Sequence, residues 1–430
     1  MHIPHEQFAR ALHQGLGRPI LYARSHDTAA FADLILHACC YNPIYDRQTG
    51  VDRAPYLYEL ITATGAEAYF RSHILAALAD PDDEMDEELL FDLALHIAQD
   101  GDGTAHTAIH TRFLDNVSSG ETIRADQLIA LDGNTGLCFV VEQIGAAMER
   151  AVDFTESWLP ERLLDDLEAA FTDDPSVLYD PRVATFRLAV CGSPAEQRAR
   201  EEAEARRRQL RDTLTSLTYE EVREAVEAKL FSVMSMSRWA QQATEQELHR
   251  AANDLLTVSD PRLLQLLIFI FVERDFPGGH RPLLPLLDRP ELLLTFRAAL
   301  ALARFCHPEL RTRALALLAQ PETFEPGLIL LVGNHEPSDY ALLTVLAQQQ
   351  TDDDALHALV WRVHELLTRA PAPEAIELLL TLYERGPCAQ CRLKVVTHLV
   401  NLGALPAQLA EECRFDANAD VRALVADVRG

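Results

Sequence analysis

Apolar residues recur along this chain at the spacing of a helix and almost nowhere at the spacing of a strand. Leu356, Leu359, Val360, Val363, Leu366 and Leu367 fall at i, i+3, i+4, i+7, i+10 and i+11, one continuous stripe. Shorter stripes follow the same rule: Ile376, Leu379, Leu380 and Tyr383; Val421, Leu424, Val425 and Val428; Leu310, Ala314, Leu317 and Leu318; Phe31, Leu34, Ile35 and Ala38. No stretch sustains a period of two. The expected fold class is all-α, with any strand short and peripheral.

Helix starts are written in repeatedly. Ser259-Asp260-Pro261, Asp288-Arg289-Pro290 and Ser193-Pro194 set a capping side chain before or near a proline suited to the first helical position. Thr218 with Glu221, and Thr244 with Glu247, have the spacing of capping boxes, in which each side chain satisfies an otherwise orphan backbone donor. His307-Pro308, Glu336-Pro337 and Ala372-Pro373 punctuate the C-terminal part. From about residue 255, helices alternate with short turns, and a helix pair is expected about every 35–45 residues.

Two segments carry a family resemblance. His307-Pro308-Glu309-Leu310-Arg311-Thr312-Arg313-Ala314-Leu315 and Asp416-Ala417-Asn418-Ala419-Asp420-Val421-Arg422-Ala423-Leu424 resemble the second helix of a HEAT-like repeat. In each, an acidic or proline-bearing turn precedes a helix that opens with Leu-Arg or Val-Arg. The resemblance implies an α-solenoid over 255–430, in which each thin helix pair shares its core with the next and a concave surface results. The expected organisation is then an irregular helical region over 1–192, charged connector helices over 193–254, and the repeat array over 255–430.

The first region has one marked irregularity. Residues 40–56 hold two prolines, a glycine and an Asn-Pro step, which forbid a continuous helix, yet the stretch is dense in tyrosine and charge. Long ordered loops in helical proteins are often binding surfaces. Tyr45, Asp46, Arg53 and Tyr56 are therefore candidate binding residues. Buried tyrosines with a hydrogen-bonded hydroxyl would read identically.

Charge narrows the partners. The chain has 38 basic and 66 acidic residues, a formal net of −28. Such a field repels phosphate backbones and anionic membranes at long range. Against it, the window 274–313 holds seven arginines and four acids. Arg274, Arg281, Arg289, Arg297, Arg304 and Arg311 recur every seven or eight residues, and Arg297 and Arg304 fall near one helix face. Guanidinium forks suit phosphate or carboxylate, so Arg289, Arg297, Arg304 and Arg311 join the candidate binding residues. Arginine stems lying over an apolar helix face, with heads in water, are the plainer reading. HEAT-like bacterial alkylpurine glycosylases use this architecture on DNA, but no constellation here maps onto their base-excising site.

Catalytic and metal motifs are incomplete. Gly333-Asn334-His335-Glu336 is similar to one metal-binding motif of calcineurin-like phosphoesterases, but the other ligand motifs are absent, and a turn is expected. Cys388 and Cys391 form a lone Cys-x-x-Cys, and buried thiols at a helix start are expected. His106 and His110 share a helix face, with His96, Asp100 and Asp102 near in sequence; solvated or capping roles are expected. The acidic run Asp80 to Glu88 suits a helix N-terminus and is expected to be solvated. No catalytic residue, metal or cofactor is expected. Eight scattered cysteines, no secretory leader and no apolar run near roughly 20 residues point to a cytoplasmic chain. The function expected is non-catalytic: a scaffold binding a protein or peptide on a solenoid surface, with nucleic-acid binding or processing through the arginines as the alternative.

Overall fold

The computed structural model describes residues 3–42, 45, 53–150, 152, 154–155, 158–173, 180–191, 217–227 and 233–426. Among the described residues every element is helical and no strand occurs, as the periodicity requires. No helix among the described residues is long and apolar enough to cross a membrane. Two compact units form. The first comprises Met1–Ala199, Cys388–Leu393 and Leu405–Gly430; the second comprises Arg200–Pro387 and Lys394–Ala404. Of the expected connector, residues 193–216 and 228–232 lie outside the described residues, and the remainder forms helices.

The first unit is built around the helix Glu84–Gln99. It packs against helices Ala32–Cys40, Arg53–Thr64, Glu67–Ala79, Gly103–Ser119 and Ala125–Asp132. Accordingly it buries Leu89, Leu90, Phe91, Leu93, Ala94 and Ile97, more than one stripe. Its acidic start is not simply solvated, contrary to the expectation. Asp83 caps the helix, accepting from the Asp86 amide at 2.8 Å. Asp86 and Glu87 are buried. Asp86 accepts from the Asn42 amide at 2.5 Å, and Glu87 accepts from Arg112 at 2.6 Å and from Asn116 at 3.0 Å. Burial of a carboxylate is tolerable because donors converge on it.

Residues from the end of the chain complete this unit. Helix His5–Gln14 ends at Gly15, whose φ of 73° favours glycine. A Cβ there would lie 2.6 Å from the Ala417 Cβ, while the Ala417 amide donates to the Gly15 carbonyl at 2.8 Å. Arg18 reaches Glu412 at 3.0 Å. The helix within the second HEAT-like segment runs Ala419–Val425, capped by Asn418, with Val421 and Val425 buried. Val428 and Ser193-Pro194 lie outside the described residues.

In the second unit, helices Pro261–Glu273, Leu292–Leu302, Phe324–Val332 and Asp353–Arg369 each pack on the next. Pro308–Leu318 packs on Phe324–Val332, and Ile376–Arg385 on Asp339–Gln349. The four packed helices start about 30 residues apart, closer than the sequence spacing suggests. All six residues of the Leu356–Leu367 stripe are buried. In the helix Ile376–Arg385 the buried set is Leu378, Leu379, Leu382 and Tyr383, a stripe rotated from the expected one. The two capping boxes form: Thr244 with Glu247, and Thr218 with Glu221. Asp260 and His307 cap their helices ahead of prolines. After Asp288-Arg289-Pro290 the helix starts later, at Leu292, with Glu291 in the cap position and no side-chain cap bond.

Candidate functional site

The arginines of the second unit have geometric roles that begin at helix ends. The last turn of a helix leaves carbonyls without intrahelical partners and carries negative partial charge, so a cation is favoured there. Arg274 donates to the Ala240 and Ala243 carbonyls, at 3.1 and 3.2 Å, and pairs with Glu245 at 3.1 Å. Arg304 reaches the Val272 carbonyl at 3.4 Å and Asp275 at 2.7 Å. Arg385 donates to the Gln350 carbonyl just past its helix. Each thus secures the C-terminal end of an earlier helix. Arg297 donates to the Gln265 carbonyl at 2.6 Å and lies over the Phe269 ring at 5.5 Å; burial lowers its pKa. Arg311 pairs with Asp339 and, at 3.4 Å, Glu336, while Arg289 pairs with Glu291 at 3.2 Å. Arg281 lies 3.6 Å from Glu309.

Two adjoining hollows cross helices Leu292–Leu302, Phe324–Val332 and Asp353–Arg369. One, of about 420 Å³, is floored by Leu292, Leu293, Phe296 and Phe324 and edged by Glu322, Glu325, Asp352 and Asp354. Leu292 and Leu293 are 57% and 48% exposed, adjacent leucines left in water. The other, of about 390 Å³, combines Leu300, Ile329 and Val332 with Arg304, Arg362, Arg369 and Glu365, and Glu365 pairs with both Arg362 and Arg369. Arg362 joins them: its guanidinium stands 4.0 Å from Glu325 and 3.1 Å from Glu365. Glu325, Asp352 and Asp354 sit at helix N-termini and Arg304 and Arg369 at C-termini, the placement helix dipoles favour. The Arg362–Glu325 pair links the two hollows, and taken together they make a groove with an apolar floor, a carboxylate-edged end and an end where three arginines stand beside Glu365.

The tyrosine-rich loop of the first unit presents a different picture. Tyr45 is half-buried, and Asp46 lies outside the described residues. Tyr56 is buried, its hydroxyl donating to the Leu16 carbonyl at 2.8 Å. Arg53 is 2% exposed, and among the described residues none of its three guanidinium nitrogens has a hydrogen-bond partner. It stands over the Tyr56 ring at 5.2 Å. Burial lowers the Arg53 pKa, and the Arg392 charge adds to this. Burial also pushes the neighbouring Cys39 thiol far up. Arg392, also buried, is satisfied by Asp416, at 2.5 and 2.8 Å, and by the Gly15 carbonyl at 3.2 Å.

The remaining motifs fall as follows. Gly333-Asn334 turns out of the helix Phe324–Val332. A Cβ on Gly333 would stand 2.7 Å from the Ala303 carbonyl oxygen, so glycine permits this approach. Asn334 accepts from the His307 amide at 2.7 Å and donates to the Phe305 and Leu330 carbonyls, and His335 stands edge-on to Tyr340. Cys388 Sγ accepts from the Cys391 amide at 3.2 Å, and both thiols are buried. His106 and His110 converge on Asp132, a residue the sequence pattern does not point to. Burial raises the Asp132 pKa, but hydrogen bonds from both histidines outweigh it, and the carboxyl is held low. His96, Asp100 and Asp102 take other roles: Asp102 caps Gly103–Ser119, and Asp100 accepts from Tyr58, whose ring stacks on His96. No family model, curated protein or solved structure matches this chain.

Proposed function

We propose that the second unit is a peptide-binding module and that the chain serves as a non-catalytic interaction scaffold. The observation that carries this reading is the groove: exposed Leu292 and Leu293 beside Phe296, between an acidic and a basic end. Exposed adjacent apolar side chains rimmed by charge are the usual mark of an interaction surface. The fitting occupant is an amphipathic segment whose apolar side chains rest on the floor. Its basic residues would meet Glu322, Glu325, Asp352 and Asp354, and its acidic residues Arg304, Arg362 and Arg369. Stacking of successive helices about 30 residues apart supports the solenoid reading of this unit, with rigidity supplied by shared cores.

The alternative, nucleic-acid binding by Arg289, Arg297, Arg304 and Arg311, finds less support. Of these four arginines only Arg304 lines either hollow, and the net charge of −28 repels a phosphate backbone at long range. Salt-dependent DNA binding, lost when Arg297 and Arg304 are neutralised, would establish that alternative instead. The peptide reading is tested by panning a random-peptide display library against the full chain. Enriched peptides should carry an apolar centre flanked by opposite charges and lose binding to Leu293→Glu. Enrichment of peptides indifferent to Leu293→Glu would reject the groove.

A further inference from the structure

We propose that His106, His110 and Asp132 form a binding site for a late first-row divalent cation such as Zn²⁺. The site is built from two short pieces of regular structure. Asp102 caps the helix Gly103–Ser119 by accepting from the Thr104 and Ala105 amides at 2.8 and 3.0 Å, which fixes the first turn. His106 and His110 then lie one turn apart on one face. Asp132 is the last residue of the packed helix Ala125–Asp132, which closes at Gly133. The carboxylate therefore projects from a helix end held by Gly133, whose amide donates to the Ile129 carbonyl at 2.8 Å.

The three side chains meet through the atoms a metal would use. His106 Nε2 is 3.0 Å from one Asp132 oxygen, and His110 Nε2 is 2.8 Å from the other. The three ligand atoms all lie within 4.8 Å of one another. Ligands bonded at about 2.0–2.2 Å around one ion lie about 3 Å or slightly more apart, so small side-chain adjustments bring all three onto one cation. The imidazole rings lie 4.7 Å apart and nearly parallel, and His110 rests against Phe139 at 5.0 Å, which limits its rotation. Two neutral imidazoles with their protons on Nδ1 would present both Nε2 lone pairs to the ion; histidinium forms would release a proton on binding.

Donor type and exposure set the class of ion. Two imidazoles and one carboxylate favour Zn²⁺, Co²⁺, Ni²⁺ or Cu²⁺ over Ca²⁺ and Mg²⁺, which prefer all-oxygen shells. His106 is 43% exposed, and His110 and Asp132 about a quarter. An ion here would keep at least one position for water, the arrangement of open zinc sites. A second triad, His280, His307 and Glu309, is less suited. There His307 Nδ1 already accepts from the Glu309 amide at 3.2 Å, and Glu309 also faces Arg281 at 3.6 Å.

The test is titration of the metal-free full chain with Co²⁺, followed by visible d–d absorption and competed with Zn²⁺. One tight equivalent is expected, with the spectrum of nitrogen and oxygen ligands and no thiolate charge-transfer band. His106→Gln with His110→Gln should weaken it at least tenfold, and so should Asp132→Asn, which keeps the side-chain shape. His280→Gln with His307→Gln should leave it unchanged. Circular dichroism checks that each variant stays folded; should the double variant unfold, Asp132→Asn decides alone. No micromolar Co²⁺ binding with a nitrogen and oxygen spectrum, or an affinity for that site unchanged in a folded His106/His110 variant or in Asp132→Asn, would overturn the proposal.

Discussion

Arg53 and Arg392 of the first unit contrast with the arginines at helix ends in the second. In the first, Arg53 and Arg392 are both taken out of water; Arg392 pairs with Asp416, and among the described residues no carboxylate lies within hydrogen-bond distance of Arg53. In the second, Arg274, Arg304, Arg311 and Arg385 keep part of their surface in water and each secures an element end. A buried guanidinium forfeits hydration that only well-placed partners offset, whereas a half-exposed one keeps water and gains a carbonyl or carboxylate besides. Charge in the first unit therefore fixes one arrangement at high cost if disturbed. In the second it lines helix ends and, as a by-product, gives the groove its two poles.

That contrast predicts a ranked series of effects. Asp416→Ala removes the carboxylate paired with buried Arg392, which stands near the buried Arg53 cation, so a loss of about 3–5 kcal/mol is expected by chemical denaturation. A loss under about 1 kcal/mol would mean that the pair is not buried. Arg53→Met should be neutral or raise stability by about 1 kcal/mol or more, since a buried charge with no carboxylate partner among the described residues gives way to a chain of similar volume. Marked destabilisation there would reveal a partner for Arg53. Thr244→Ala, which breaks a capping box, should cost about 1 kcal/mol in thermal or chemical melts. Arg304→Ala should cost less than about 1 kcal/mol, and added salt should shrink the difference further. An effect of Arg304→Ala as large as that of Asp416→Ala would erase the contrast.

A pH effect separates out the second unit's own buried polar pair. His364 Nδ1 and His398 Nε2 lie 3.0 Å apart, and burial lowers both pKa values, aided by Lys394 beside them. A depressed histidine pKa means that the unfolded chain takes up protons first on acidification. Their contribution is complete above about pH 6.5 and is lost as pH falls through the folded values. Replacing both with Gln should flatten the melting profile between about pH 7 and 5.

What could be read from the sequence was local. The stripe from Leu356 to Leu367 and the Thr244 box depend on residues a few positions apart, and both form as spacing dictates. Burial of Asp86 and Glu87 was not legible, because their donors Asn42, Arg112 and Asn116 come from other helices and turns. The same holds for Asp132, which meets His106 and His110 from 22 to 26 residues away. Tyr56 and Arg53 were singled out by their chemistry, yet nothing local distinguishes an exposed anchor from a buried one. Membership of 405–430 in the first unit is set by contacts such as Gly15 with Ala417, which no periodicity records.

The groove's polarity is the feature that makes its occupant specific, and a single binding comparison addresses it. A peptide enriched on the full chain is synthesised together with a version whose basic and acidic ends are exchanged around the same apolar centre, and both are measured by fluorescence anisotropy. At least tenfold tighter binding of one orientation is predicted, collapsing when Glu325→Arg and Arg362→Glu are introduced together. Equal affinity of the two peptides, or a preference untouched by the charge exchange, would contradict the assignment of this surface as the binding site.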